Sequence, residues 1–278
     1  MLLVNGERRK TLPVSDRGLQ YGDGLFETIE IENSRPVFFD LHLRRLEAGC
    51  LRLGLPFPSP GLLAEEARTL CRESPAQAVL KIIVTAGSGG RGYRRPETIE
   101  TTRILSLHPY PEYPAAFGTE GIRARLCATR LGINPALAGL KHLNRLEQVL
   151  ARAEWSDSAI QEGLMLDSGG HLIEGTMTNL FYARNGALYT ASLERCGVAG
   201  IIRELIMRLA ARHRLAVIEL SYTPERLASA DEAFVCNSII GIWPVRQFEQ
   251  IALRPGPITR NMQQWLADYK QETLRSEP

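Results

Sequence analysis

The chain has 278 residues, with 33 Lys and Arg against 31 Asp and Glu for a formal net charge of +2, and 44% of it is hydrophobic. This is the balance of a soluble globular protein with core enough for one large domain or two ordinary ones. Its interspersed charges offer no basic stripe for nucleic acid, and no apolar run approaches the roughly 20 residues of a membrane span.

The first third reads as strands and turns. LLVNGERRKTLPV carries the hairpin signal Asn5-Gly6, and LFETIEIENSRPVFF alternates around Asn33-Ser34. Asp40 is placed to cap a helix over 41–53 that Gly54 stops, and a second helix follows Pro60-Gly61. AVLKIIVTA and TTRILSLHP are further strands, the first nearly continuous in apolar residues and therefore central. Helices on one face of this sheet give an α+β domain over 1–110. The proline-rich tract PYPEYPAAFGTEG breaks both helix and strand, which puts an interdomain linker at 111–120.

The second domain, 121–278, reads as mixed α/β and is the larger. A strand is expected near 121–128. A helix then begins at Lys141 and presents Leu143, Leu146, Val149, Leu150 and Ala153 to the core. Short strands run from GLMLD to ALYTA, with turns at Ser168-Gly169-Gly170 and Asn185-Gly186. A helix over about 200–213, strands near 215–220 and 231–238, and a helix after Pro257 complete the chain.

The five cysteines, Cys50, Cys71, Cys127, Cys196 and Cys236, are scattered and never spaced C-x-x-C, which argues against a disulfide framework or zinc site and for a reducing cytoplasm. The opening MLLVNGERRK is too short for a secretory hydrophobic region. The histidines are isolated, so no metal site is expected, and the expected partner is a small molecule.

Among the 33 basic residues only Lys10, Lys81, Lys141 and Lys270 are lysines. Arginine keeps its proton, whereas a desolvated lysine becomes a neutral amine able to condense with a carbonyl. Any single lysine is by default a solvated charge, but Lys141 lies between Leu140 and His142, and only Lys81, in a central strand, rivals it. In HLIEGTMTNLF, Glu174 sits beside small polar residues, an arrangement suited to a protonated heterocycle, although alone it reads as a surface acid. Gly197 and Gly200 precede a helix whose unpaired N–H groups near Ile201 and Ile202 can face a phosphate. Arg45 in an H-x-x-R pattern offers a phosphate fork, and Ser238 at a strand end a hydroxyl. GSGGRG matches G-x-G-x-x-G, yet Pro96 and a strand follow where a dinucleotide site needs a helix. It reads instead as a flexible loop carrying Arg91 and Tyr93, equally a cover for a ligand carboxylate or a solvated connection.

Six segments in order, SDRGLQYGDGLFET, HLRRL, GLKHLNRLEQVLAR, IEGTMTNLF, GVAGIIR and DEAFVCNS, make the whole chain resemble the fold-type IV pyridoxal-phosphate enzymes. The resemblance implies a two-domain α+β fold, a homodimer and bound pyridoxal 5'-phosphate. It implies that Lys141 is the Schiff-base lysine, Glu174 the partner of the pyridine nitrogen, and Arg45, Ile201, Ile202 and Ser238 the phosphate contacts, the isoleucines partly through backbone N–H. Within the family, GSGGRGY together with KHLNRLEQVL is most similar to the 4-amino-4-deoxychorismate lyases, with His142 and Arg145 directing the choice. That branch implies an enzyme releasing 4-aminobenzoate, destined for folate, and pyruvate; Arg91 and Tyr93 of the glycine loop are the candidates for holding a substrate carboxylate or ring. An aminotransferase acting on D-amino or branched-chain amino acids would use the same lysine and glutamate, and a cofactor-free binding protein could keep the fold.

Overall fold

The computed structural model describes residues 1–276, in two compact units. The first takes Met1–Pro111, Lys141–Asn144 and the residues from Glu272 onward; the second takes Glu112–Leu140 and Arg145–Gln271.

The first unit contains β1 (Leu2–Val4), α1 (Arg17–Tyr21), β2 (Gly24–Glu32), β3 (Arg35–Pro36), α2 (Phe39–Leu53), α3 (Pro60–Cys71), β4 (Gln77–Thr85) and β5 (Thr102–Pro109). Its five described strands are ordered β1-β5-β4-β2-β3, all antiparallel, with β4 in the middle. Asn33 and Ser34 take φ of 50° and 64° and make the two-residue turn between β2 and β3. Strand alternation turns Leu25, Glu27, Ile29 and Ile31 to one face, and all four are buried, as are Leu46 and Cys50 of α2 and Leu63 and Leu70 of α3. Gly49 lets α2 come close, since a Cβ there would lie 2.8 Å from Leu25. Asp40 is not the cap of α2: Phe38 is, in a left-handed conformation, while Asp40 lies in the first turn, where its charge suits the helix dipole. Gly54 ends the helix left-handed, as expected.

The second unit contains α4 (Ala116–Thr119), β6 (Ile122–Leu126), α5 (Leu146–Arg152), β7 (Glu162–Leu166), β8 (Leu172–Gly175), β9 (Asn179–Arg184), β10 (Ala187–Ala191), α6 (Ile201–Arg212), β11 (Val217–Leu220), α7 (Pro224–Ala228), β12 (Glu232–Asn237), β13 (Gly241–Phe248), β14 (Ile251–Ala252) and the start of α8 (Pro257–Ser276). The strand order is β11-β10-β9-β12-β13-β6-β7-β8, and β8 also pairs with β9 through Glu174 and Asn179. Strands β9, β12, β13, β6, β7 and β8 therefore close into a ring. Leu164, Leu180, Tyr182, Ala233, Val235 and Val245 fill one core of this unit.

The helix expected at Lys141 begins at Leu146 instead. Residues 141–143 are extended against the edge of β2: Phe26 N–H donates to the Lys141 carbonyl at 3.0 Å, and Leu143 N–H to the Gly24 carbonyl at 3.0 Å. Backbone groups engaged in this way cannot enter an i→i−4 ladder. Nor does the expected apolar stripe face a core, because Leu146, Val149 and Leu150 are 68%, 60% and 53% exposed, while Ala151 is buried. Among the described residues no helix is long and apolar enough to cross a membrane.

Candidate active site

In the first unit, the segment that pairs with β2 holds Lys141 half-buried, with Nζ 4.2 Å from the centroid of the Phe26 ring. Lys81, the rival lysine, lies on β4 opposite Thr28, and its Nζ is 5.2 Å from the same centroid. The chain thus gathers two of its four lysines at one aromatic ring, a favourable seat for an ammonium and an apolar neighbour for a neutral amine.

Arg45 is one helical turn from His42 on α2, and both reach Glu27 on β2. Arg45 Nε donates to Glu27 Oε1 at 2.8 Å, its Nη2 donates to Oε2, and His42 Nδ1 lies 2.6 Å from Oε2. Burial works to raise the Glu27 carboxyl, but the Arg45 charge and the hydrogen bonds from both partners outweigh it and hold the group at about 2. Burial pushes His42 down against the pull of Glu27, so the ring is neutral and its Nδ1–H donates a hydrogen bond to the ionised carboxylate. The Nε–Nη2 edge of the Arg45 guanidinium is therefore fixed by a buried anion.

The sign of the Glu27 shift sets a pH dependence. A carboxyl held below its ordinary value of 4.5 contributes stability that is fully present above that pH and is lost as pH falls from 4.5 toward about 2. Glu27→Gln is expected to flatten the stability profile in this window. At pH 7 it should cost on the order of 3–5 kcal/mol, because the Arg45 charge loses its buried partner. Urea unfolding at pH 7 and pH 3 measures both effects, and a variant that keeps the wild-type acid slope would remove Glu27 as its source.

In the second unit the ring closure at Glu174 and Asn179 organises the remaining candidates. Glu174 is 4% exposed, and its Oε2 accepts from Val198 N–H at 2.8 Å. Asn179 Nδ2 donates to the Val198 carbonyl at 2.9 Å, so both backbone polar groups of Val198 are held. Gly197, with φ of +88°, and Gly200 are required here: a Cβ on Gly197 would lie 2.8 Å from Ile173, and one on Gly200 would lie 2.1 Å from Asn179 Oδ1. Gly200 is the cap of α6 and brings no side-chain hydrogen bond, so the first-turn N–H groups at Ile201 and Ile202 emerge from a helix end with no side-chain cap. Ser238 lies half-buried in the turn two residues past Cys236, which is paired with Asn179. Asn237 Oδ1 shapes that turn by accepting from Ile239 and Ile240 N–H at 2.8 and 2.9 Å. Arg145 is half-buried; burial lowers its guanidinium below the ordinary value, opposed by the charge of Glu174.

The turn after Glu174 is set by a residue that the sequence did not single out. Glu162 is fully buried on β7 and accepts from Gly163 N–H at 2.8 Å, Thr176 N–H at 3.1 Å, Thr176 Oγ1 at 2.6 Å and Thr178 Oγ1 at 2.8 Å. Burial raises its carboxyl, and these four donors oppose the rise. The candidates thus fall into two clusters, Lys141 with Arg45 in the first unit and Glu174 with Ile201, Ile202 and Ser238 in the second. Arg91 and Tyr93 are exposed at the tip of the loop between β4 and β5, where no helix follows the glycines.

A profile of the family described as amino-transferase class IV matches residues 24–248. The chain belongs to this family. Among class IV relatives, the aminodeoxychorismate lyase of Vibrio harveyi is 35% identical over 268 residues, covering 95% of this chain and 98% of that protein. The crystal structure of 4-amino-4-deoxychorismate lyase from Pseudomonas aeruginosa superposes with a TM-score of 0.93 at 44% identity, covering 96% of this chain and 98% of that one. The branched-chain amino acid aminotransferase of Escherichia coli superposes with a TM-score of 0.83 at 28% identity, covering 95% and 91%. The class IV fold with its two-domain α+β architecture is therefore the one the motifs implied.

Proposed function

We propose that the protein is a pyridoxal-phosphate-dependent lyase that converts 4-amino-4-deoxychorismate to 4-aminobenzoate and pyruvate, and that it works as a cytoplasmic homodimer in folate biosynthesis. The observation that carries the choice of lyase is the likeness to the Pseudomonas aeruginosa lyase, 44% identical with a TM-score of 0.93, against 28% and 0.83 for the Escherichia coli aminotransferase. The family generally depends on pyridoxal phosphate, and the residues fit that group. A primary amine stands at an aromatic ring, a buried carboxylate is braced by a backbone donor, and an uncapped helix start follows a glycine that has no room for a Cβ.

Lys141 would bind the cofactor covalently, Glu174 would keep the ring nitrogen protonated, and Arg45, the N–H groups of Ile201 and Ile202, and Ser238 would hold the phosphate. Bound there, pyridoxal phosphate supplies an electron-poor ring that accepts the electron pair left on the substrate carbon. The neutral amine of Lys141 would remove the proton from C4 of the substrate. The bond from C3 to the enolpyruvyl oxygen then breaks, the ring becomes aromatic, and the leaving group takes up a proton to become pyruvate, so the two products together contain every atom of the substrate. The exposed Leu146, Val149 and Leu150 on α5 support the homodimer, since a second copy would cover them. The five buried free cysteines agree with a reducing compartment.

Purified protein given enzymatically generated aminodeoxychorismate is expected to form 4-aminobenzoate and pyruvate in equal amounts. Conversion of a D-amino or branched-chain amino acid to its keto acid, with neither product formed, would transfer the reading to an aminotransferase. A colourless protein that pyridoxal phosphate cannot reconstitute would point to a binding protein on this fold.

A further inference from the structure

The loop between β4 and β5 is glycine-rich, with Gly87, Gly89, Gly90 and Gly92 all at positive φ, and such a segment left to itself has a large conformational freedom to lose. It is held instead by a buried arginine. Arg17, the first residue of α1, is 3% exposed. Its Nη1 donates to the carbonyls of Gly89 at 3.3 Å and Gly92 at 3.0 Å, and its Nη2 to the carbonyl of Tyr93 at 3.2 Å. Its Nε donates to Asp23 Oδ2 at 2.9 Å, and its backbone N–H to the Gly87 carbonyl at 2.7 Å. One planar fork thus holds three carbonyls of the loop backbone, a geometry that the compact ammonium of lysine does not match.

Asp23 is itself held from the other side. Arg95 Nε donates to Asp23 Oδ2 at 2.9 Å, Arg95 Nη2 donates to Oδ1, and Arg95 Nη1 reaches the Leu53 carbonyl at 2.5 Å. Burial would raise the Asp23 carboxyl, but the two arginines outweigh it and keep it ionised. Arg91 and Arg94 exchange backbone hydrogen bonds of 3.1 and 3.2 Å, which closes a tight turn with Gly92 and Tyr93 at its tip. There the Tyr93 ring, in a residue 89% exposed, meets Tyr21 edge-on with centroids 5.5 Å apart, and the Arg17 guanidinium lies 4.9 Å from the Tyr21 centroid.

We propose that Arg17, locked by Asp23 and Arg95, is a positioning residue that fixes residues 89–93 as a rigid tip and so presents Arg91 and Tyr93 to the substrate's carboxylate and ring in a preset geometry. The role in the reaction rests on the lyase reading above. A tip fixed before binding spares the substrate the ordering entropy of the loop, so loss of the clamp acts on binding more than on the chemical step.

The test is Arg17→Met, which keeps bulk and removes every side-chain donor, with Arg95→Met alongside to loosen the same carboxylate from the surface side if the first variant does not fold. Hydrogen exchange of residues 89–93 is read in the holoenzyme, together with KM and kcat for aminodeoxychorismate. The expected result is exchange faster by on the order of tenfold at 89–93 and a KM raised by a similar factor, with kcat within about twofold. Unchanged exchange in a folded variant overturns the clamp, and faster exchange with an unchanged KM overturns its role in presenting the two side chains. Wild-type protein that forms no 4-aminobenzoate would refute the lyase reading and not the clamp, which the exchange rates then decide alone.

Discussion

Lys141→Ala is expected to give a folded, colourless protein whose production of 4-aminobenzoate falls by on the order of 10³-fold or more. The segment that carries Lys141 is held through backbone hydrogen bonds to β2, at the Lys141 carbonyl and the Leu143 N–H, and these do not depend on the side chain. Truncation should therefore leave the thermal midpoint within a few degrees of wild type. Lys141→Arg separates charge from chemistry, since arginine keeps the cation at the Phe26 ring but cannot become the neutral amine that takes a proton; it should be as inactive as the alanine variant. Because Lys81 shares that ring, Lys81→Ala is the necessary control and is expected to stay yellow and reducible by borohydride. A yellow Lys141→Ala together with a colourless Lys81→Ala would transfer the covalent role to Lys81.

Glu174→Gln is expected to lower kcat by on the order of 10²-fold with little loss of stability. Glutamine retains an oxygen to accept the Val198 N–H now bonded at 2.8 Å, so the turn before α6 keeps its brace while the negative charge is lost. Glu174→Ala removes both, and leaving a buried N–H without an acceptor should cost about 1–3 kcal/mol in addition. The comparison isolates charge from scaffolding: a Gln variant with kcat within twofold of wild type would exclude Glu174 as the partner of a protonated ring nitrogen. The absorbance of the bound cofactor in the two variants gives an independent reading of the same charge.

The two variants also mark how differently local signals fared. Turn and stop residues announced themselves because their information is carried by single residues: Asn33-Ser34 makes its hairpin, Gly54 ends α2 and α3 starts at Pro60. Periodicity misled at 141–153, where Leu143, Leu146, Val149 and Leu150 have helical spacing. Such spacing records which side chains share a face, not whether that face meets a core of its own chain, and residues 141–143 pair with β2 instead of joining the helix. Asp40 likewise had the right chemistry for a cap, but the chain enters α2 through a left-handed Phe38.

Glu27, Glu162 and Arg17 were invisible as functional supports for a further reason. Glu27 stands at core parity between Leu25 and Ile29, but an acid out of place in one segment does not name its partner. The partners of the three lie at sequence separations of 15 and 18 residues for His42 and Arg45 with Glu27, 14 and 16 for Thr176 and Thr178 with Glu162, and 72 to 76 for the loop carbonyls with Arg17.

Signals that reside in residue type and short spacing were present in the sequence alone: a rare lysine, a glutamate among small polar residues, glycines before a helix, and the six ordered segments whose resemblance implied the family and its α+β fold. Only the tertiary structure decided which groups are braced and by what. It set Lys141 on the edge of a strand, fixed Arg45 on a buried carboxylate, braced Glu174 with the Val198 amide and tied the glycine loop to Arg17. Burial and hydrogen bonding between distant segments arise only when the whole chain closes around them, and they determine the charge state and position that give each side chain its use.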